Sequence, residues 1–104
     1  SLPVGAVAGA ASADGQEQLK RLEAALGKPP IAFNTFGWEY GLITEWGLKN
    51  SDGSREGLRS ALERAKDVPS INGPVTFSPD SHLGQDVRGV VPVIMKAGRW
   101  TKGD

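Results

Sequence analysis

The sequence predicts an α/β chain, and three observations carry that expectation. Between residues 15 and 66, apolar residues recur at helical spacing in three stretches, each with start or stop signals. From Gly73 onward the pattern shortens to brief valine-rich runs separated by turn residues. The 104 residues include no cysteine, so neither disulfides nor thiolate metal centres organise the fold. A chain of this length can bury one modest core but not two. The expected layout is an N-terminal strand, about three helices and a C-terminal pair of strands.

The segment Leu2–Ala13 is apolar but built of small side chains, and Gly5 and Gly9 interrupt it. A membrane span needs about 20 apolar residues, so this is too short. Val4 to Ala8 reads as a buried strand. The alternative is a cleaved leader, because Ala11-Ser12-Ala13 has the small residues of a processing site, although no basic residues precede it. The abrupt apolar start without Met suggests a boundary cut from a longer chain.

Asp14-Gly15-Gln16-Glu17 is a D-x-x-E start signal, which predicts a helix over about 15–26 with Leu19, Leu22 and Leu26 on its core face. Gly27 provides the C-terminal cap, and Pro29-Pro30 prevents continuation. Asn34 or Thr35 can cap a second helix reaching about Leu48, with Trp38, Leu42 and Trp46 on one stripe. Gly37, Gly41 and Gly47 each weaken that helix by roughly 1 kcal/mol, which suits close approach of another element. Ser54 can cap a third helix to about Lys66, with Leu58, Ala61, Leu62 and Ala65 inward.

Gly73–Phe77 reads as a short strand, Ser78–Gly84 as a structural loop, and Val87–Lys96 as a strand covered on both faces. Lys96-Ala97-Gly98-Arg99 is a turn, after which Trp100 begins a returning strand.

Twelve basic residues balance twelve acidic ones, and the isoelectric point is near 6.5. That balance gives no footprint for nucleic acid or for an anionic membrane. A single histidine, His82, excludes any site built on two. Asp80, Ser81 and His82 bring three catalytic residue types together and raise a small hydrolase as an alternative. Sequence neighbours in a loop, however, do not align as a Ser–His–Asp relay, and no G-x-S-x-G elbow accompanies them. Glu39 and Glu45, six apart, do not share a helical face. Asp52-Gly53-Ser54 is too short for a calcium loop. No cofactor is implied.

The aromatic residues are more informative. Phe33, Phe36, Trp38, Tyr40 and Trp46 lie within fourteen positions. Phe33 and Trp46 are expected in the core. Phe36 and Trp38 sit where an extended segment meets a helix start, a junction at which ligands approach in α/β folds.

The order of segments carries a resemblance. Phe33-x-x-Phe36-Gly37-Trp38-Glu39 is followed by Leu58-Arg59-Ser60-Ala61-Leu62-Glu63. Then come Ile71-Asn72-Gly73-Pro74-Val75-Thr76-Phe77-Ser78-Pro79-Asp80 with His82 and Gly84, a valine-rich strand, and Gly98-Arg99-Trp100. This resembles the C-terminal part of the periplasmic solute-binding proteins of branched-chain amino acid ABC transporters, which are type I, two-lobed binding proteins. Gly73–Gly84 is the most specific stretch. The family's usual Tyr-Asp pair is Trp38-Glu39 here.

The resemblance implies a single fragment, 1–104. Residues 1–70 would complete one lobe, and residues 73–104 would cross the hinge to the other. It also implies that Phe36, Trp38 and Glu39 contact a ligand: an amino acid, an amide or an aromatic acid. The implied partner is a membrane permease. The implied location is the periplasm or cell exterior, with a lipoprotein anchor in a Gram-positive source. No catalysis is implied, and the fragment is expected to self-associate. A ligand-sensing domain of a receptor or regulator with the same fold is the alternative.

Overall fold

The structure, a computed structural model, describes residues 13–103. The strand expected at Val4–Ala8 lies outside the described residues. Three α-helices come first: α1 (Ala13–Leu26), α2 (Ala32–Lys49) and α3 (Arg55–Glu63). Two antiparallel hairpins follow, β1 (Thr76–Ser78) with β2 (Ser81–Gly84), and β3 (Val93–Lys96) with β4 (Arg99–Lys102). A 3-10 turn at Val87–Gly89 joins them. The described chain is thus mixed helix and strand. None of its helices is long and apolar enough to cross a membrane.

α1 ends where Gly27 turns to φ 71° and its N–H donates to the Glu23 carbonyl at 2.9 Å. Asp14 lies inside the first turn rather than before it. Leu19 and Leu22 are buried, whereas Leu26 is half-buried. α2 begins earlier than expected, with Ile31 at the N-cap position. Asn34 does not precede the helix; its Oδ1 reaches back to accept the Ile31 N–H at 2.9 Å. Thr35 is also inside, with its hydroxyl donating to the Ala32 carbonyl at 2.6 Å. Ser54 caps α3 as its sequence indicates, accepting the Gly57 N–H at 3.0 Å. That helix stops at Glu63, three residues short of Lys66.

Of the three α2 glycines, only Gly47 serves close approach. A Cβ there would lie 2.6 Å from Leu58 Cδ1, so the bare backbone is where α3 docks on α2. Around Gly37 and Gly41 there is open space.

The core follows α3. Ala65, Val68 and Val75 form a buried cluster on which Ile43, Trp46 and Phe77 pack. Ala61 and Ile71 are fully buried beside it in the chain. Leu58 and Leu62, expected in the core, are only half-buried. Each buried Val or Ile contributes roughly 1.5–3 kcal/mol. Val68 and Val75 exchange both backbone hydrogen bonds at 2.9 Å, closing a loop over Pro69–Pro74. Within that loop Gly73 adopts φ 102° and presses on Gly89, where a Cβ on Gly73 would meet the Gly89 Cα at 2.7 Å. A Cβ on Gly89 would in turn collide with the Asn72 carbonyl oxygen, so neither glycine admits a side chain without a backbone shift.

Two strand expectations need correction. Ser78–Gly84 is not a loop, because Ser81–Gly84 pairs with Thr76–Ser78 across a two-residue Pro79-Asp80 turn. Val87–Lys96 is not one strand. Asp86 caps the 3-10 turn by accepting the Arg88 N–H at 2.8 Å, and strand geometry begins only at Val93, after Pro92. Nor is that strand covered on both faces, since Ile94 and Met95 are 46% and 54% exposed. The β3–β4 turn falls at Ala97-Gly98 as expected, with both residues at positive φ, 50° and 76°.

Candidate functional site

Glu39 is the buried acid among the described residues. It is 6% exposed on α2, and its carboxylate takes two amide donors from distant parts of the chain. Asn72 Nδ2 donates to Oε1, and Gln85 Nε2 donates to Oε2 at 3.2 Å. The turn around Gly73 presents Asn72, and the end of β2 presents Gln85. Three separate elements therefore converge on one carboxylate. No ion pair neutralises it among the described residues. A carboxylate has about four acceptor positions, of which two are filled by these amides.

Beside Glu39 lies an open groove of about 280 Å³. Phe36 and Tyr40 on α2 form one wall, and Phe77, Leu83 and Gln85 on the first hairpin and just beyond it form the other. Phe36 and Tyr40 are 55% and 76% exposed, so two aromatic faces stand in solvent beside a buried acid. Phe33 packs edge-to-face on Phe36 at 6.0 Å and is itself 77% exposed, not in the core.

Of the three residues that the sequence points to, the structure brings Phe36 and Glu39 together. Trp38 does not join them. Its Nε1–H donates to Gln18 Oε1 at 2.9 Å, and the half-buried indole fastens α2 to α1. Tyr40, Asn72 and Gln85 complete the site without having been singled out as ligand residues. Asn72 belongs to an Asn-Gly turn, which is legible, but nothing in spacing links it to Glu39.

No hydrogen bond joins Ser81 to His82 among the described residues. Successive strand residues point to opposite faces. The Ser81 N–H donates to Ser78 Oγ at 3.1 Å, a turn contact. His82 Nε2 instead lies 3.4 Å from Glu63 Oε1, and its ring stands edge-on to Phe77 at 6.4 Å. Arg59 approaches the same Glu63 oxygen at 3.6 Å. These residues frame a second groove, of about 430 Å³, between α3 and the first hairpin.

A third polar cluster is exposed. Arg88 reaches Asp67 at 2.8 Å and Asp86 at 2.7 Å. Its guanidinium holds both carboxyls below their ordinary range, chiefly by hydrogen bonding, while they hold the arginine well above its own.

No protein-family model, curated protein or solved structure matches this chain.

Proposed function

We infer that this chain is the C-terminal part of an extracytoplasmic solute-binding protein of the type I, two-lobed kind. Such a protein captures amino acids or related small molecules and delivers them to the permease of an ABC transporter. The observation that carries the reading is the buried carboxylate of Glu39 beside Phe36 and Tyr40 in an open groove. A carboxylate with spare acceptor positions suits a ligand ammonium, and aromatic faces suit both that cation and an apolar side chain.

The order of elements supports the same reading. A long helix carrying the Phe36–Glu39 segment, a short helix with Leu58, Ala61 and Leu62, and a short strand at Thr76–Ser78 follow one another in the order the resemblance implies, although Ser81–Gly84 is a strand where the resemblance implies a loop. The mechanism is closure of two lobes on the ligand, with this chain forming part of one wall. The place of action is the periplasm or the outer face of a cytoplasmic membrane.

Calorimetry tests the reading on the longer, two-lobed polypeptide that it requires. Branched-chain and aromatic amino acids are titrated singly. Saturable heat is expected with at least one of them. Glu39→Gln should weaken it about ten-fold or more, as loss of a charge-assisted hydrogen bond does. Absence of heat with every ligand, or binding untouched by both Glu39→Gln and Phe36→Ala, overturns the reading.

A further inference from the structure

The groove between α3 and the first hairpin shares only Phe77 with the Glu39 groove. Its floor is apolar, made by Leu58, Leu62 and Phe77, all half-buried. Its rim is charged, with Arg55, Arg59, Glu63 and His82 lining it. Glu63, whose side chain is 19% exposed, is the lining carboxylate, and one of its oxygens is shared by Arg59 and His82. That acid is therefore already engaged from two sides. Arg55 lines the same groove and has neither an ion pair nor a side-chain hydrogen-bond partner among the described residues. Arg59 is held from two sides, by Glu63 and by Glu56 at 3.2 Å, so Arg55 is the lining cation left without a carboxylate among the described residues.

We propose that this groove is a binding site for a small organic monocarboxylate with an apolar body, whose carboxylate pairs with Arg55 while its hydrocarbon lies on Leu58, Leu62 and Phe77. Charge complementarity selects the class. A cation would meet the unpaired Arg55 and find Glu63 already engaged by Arg59 and His82. A neutral apolar molecule would gain the floor but leave Arg55 unanswered. An anion with no hydrocarbon would gain only an exposed arginine, whose pairing in water is weak. A molecule with both parts uses the whole groove. The site does not depend on the transport reading, and neither Phe36 nor Glu39 contributes to it.

The test uses decanoate, below its micelle concentration, on the 104-residue chain, with decanol as the neutral control. Backbone amide shifts are followed by two-dimensional NMR at fixed protein concentration and again on dilution without decanoate. Saturable shifts are expected at Leu58, Leu62, Phe77 and His82. Arg55→Gln, an exposed and unpaired position, should weaken binding about five-fold, the scale of an exposed ion pair. Phe77→Leu, which keeps an apolar residue, should weaken decanoate and decanol alike. The proposal is overturned if these amides do not move, or if decanol binds as tightly as decanoate. Indifference to Arg55→Gln would also overturn it. Movement of the same amides on dilution would assign the groove to a second copy of this chain instead.

Discussion

Gln85 Nε2 donates to Glu39 Oε2 at 3.2 Å across 46 residues of chain, and with Asn72 it makes one buried carboxylate the meeting point of helix, turn and hairpin. Removing that carboxylate strands two amides that face it. Glu39→Ala should therefore cost about 2–4 kcal/mol, the sum of a lost charged hydrogen bond and a poorly satisfied donor. Glu39→Gln keeps the shape and one acceptor and should cost less. Urea unfolding followed by circular dichroism checks the order, and equal losses for the two variants would contradict it.

Two glycines of the same helix should respond with opposite sign. At Gly41 a methyl group meets open space, so Gly41→Ala should stabilise by up to about 1 kcal/mol. At Gly47 it collides with the Leu58 and Leu62 side chains, and Gly47→Ala should destabilise by about 1 kcal/mol or more, despite its better helix propensity. Melting temperatures of the two single variants decide the matter.

Ala97 occupies the left-handed region at φ 50°, where a Cβ is crowded by its own carbonyl. Ala97→Gly should relieve that crowding and stabilise the β3–β4 hairpin by about 0.5–1 kcal/mol. Slower hydrogen exchange of the β3 and β4 amides is the expected readout.

The Arg88 cluster sets an acid limit. Asp67 and Asp86 have carboxyls held below their ordinary values in the folded chain. A depressed acid contributes stability above its unfolded value, near pH 4, and loses it as pH falls through the folded value. The chain should therefore lose stability on acidification below about pH 4. Arg88→Gln should flatten the part of that dependence due to these two acids. Thermal melts of both forms from pH 7 to pH 2 measure the difference.

The second hairpin and the residues before it expose Val87 (79%), Val90 (70%) and Met95 (54%). Two short strands with apolar side chains in water invite pairing with another chain. Light scattering should give a mass above the 11.0 kDa of one chain, and charged substitutions at Val90 and Met95 should restore it.

The helices were legible because their signals are local. Leucine spacing, Gly27 and Ser54 each act within a few residues of where they stand. The strands were less so. Ser81–Gly84 is polar and short, and it becomes a strand only because Thr76–Ser78 lies beside it. Val87, Val90 and Val91 read as a strand until the Asp86 cap and Pro92 are given their local geometry. Leu19, Leu22, Ala61 and Ala65 are buried as their spacing indicates, whereas Leu58 and Leu62, which lie against the bare Gly47, stay half-buried because the groove beside α3 leaves them partly open. The site was half legible. Phe36 and Glu39 belong to one helical segment, but Asn72 and Gln85 reach Glu39 only through the tertiary path, which no spacing rule encodes.

The separation of those partners has a kinetic meaning. Both hairpins and all three helices close short loops, which form quickly. Bringing Asn72 and Gln85 to Glu39 closes loops of 33 and 46 residues, the more expensive search. Their hydrogen bonds should then be absent from the folding transition state and present only after it. Glu39→Gln would leave the refolding rate nearly unchanged and hasten unfolding, so this one acid acts as the latch that governs how long the folded chain lasts.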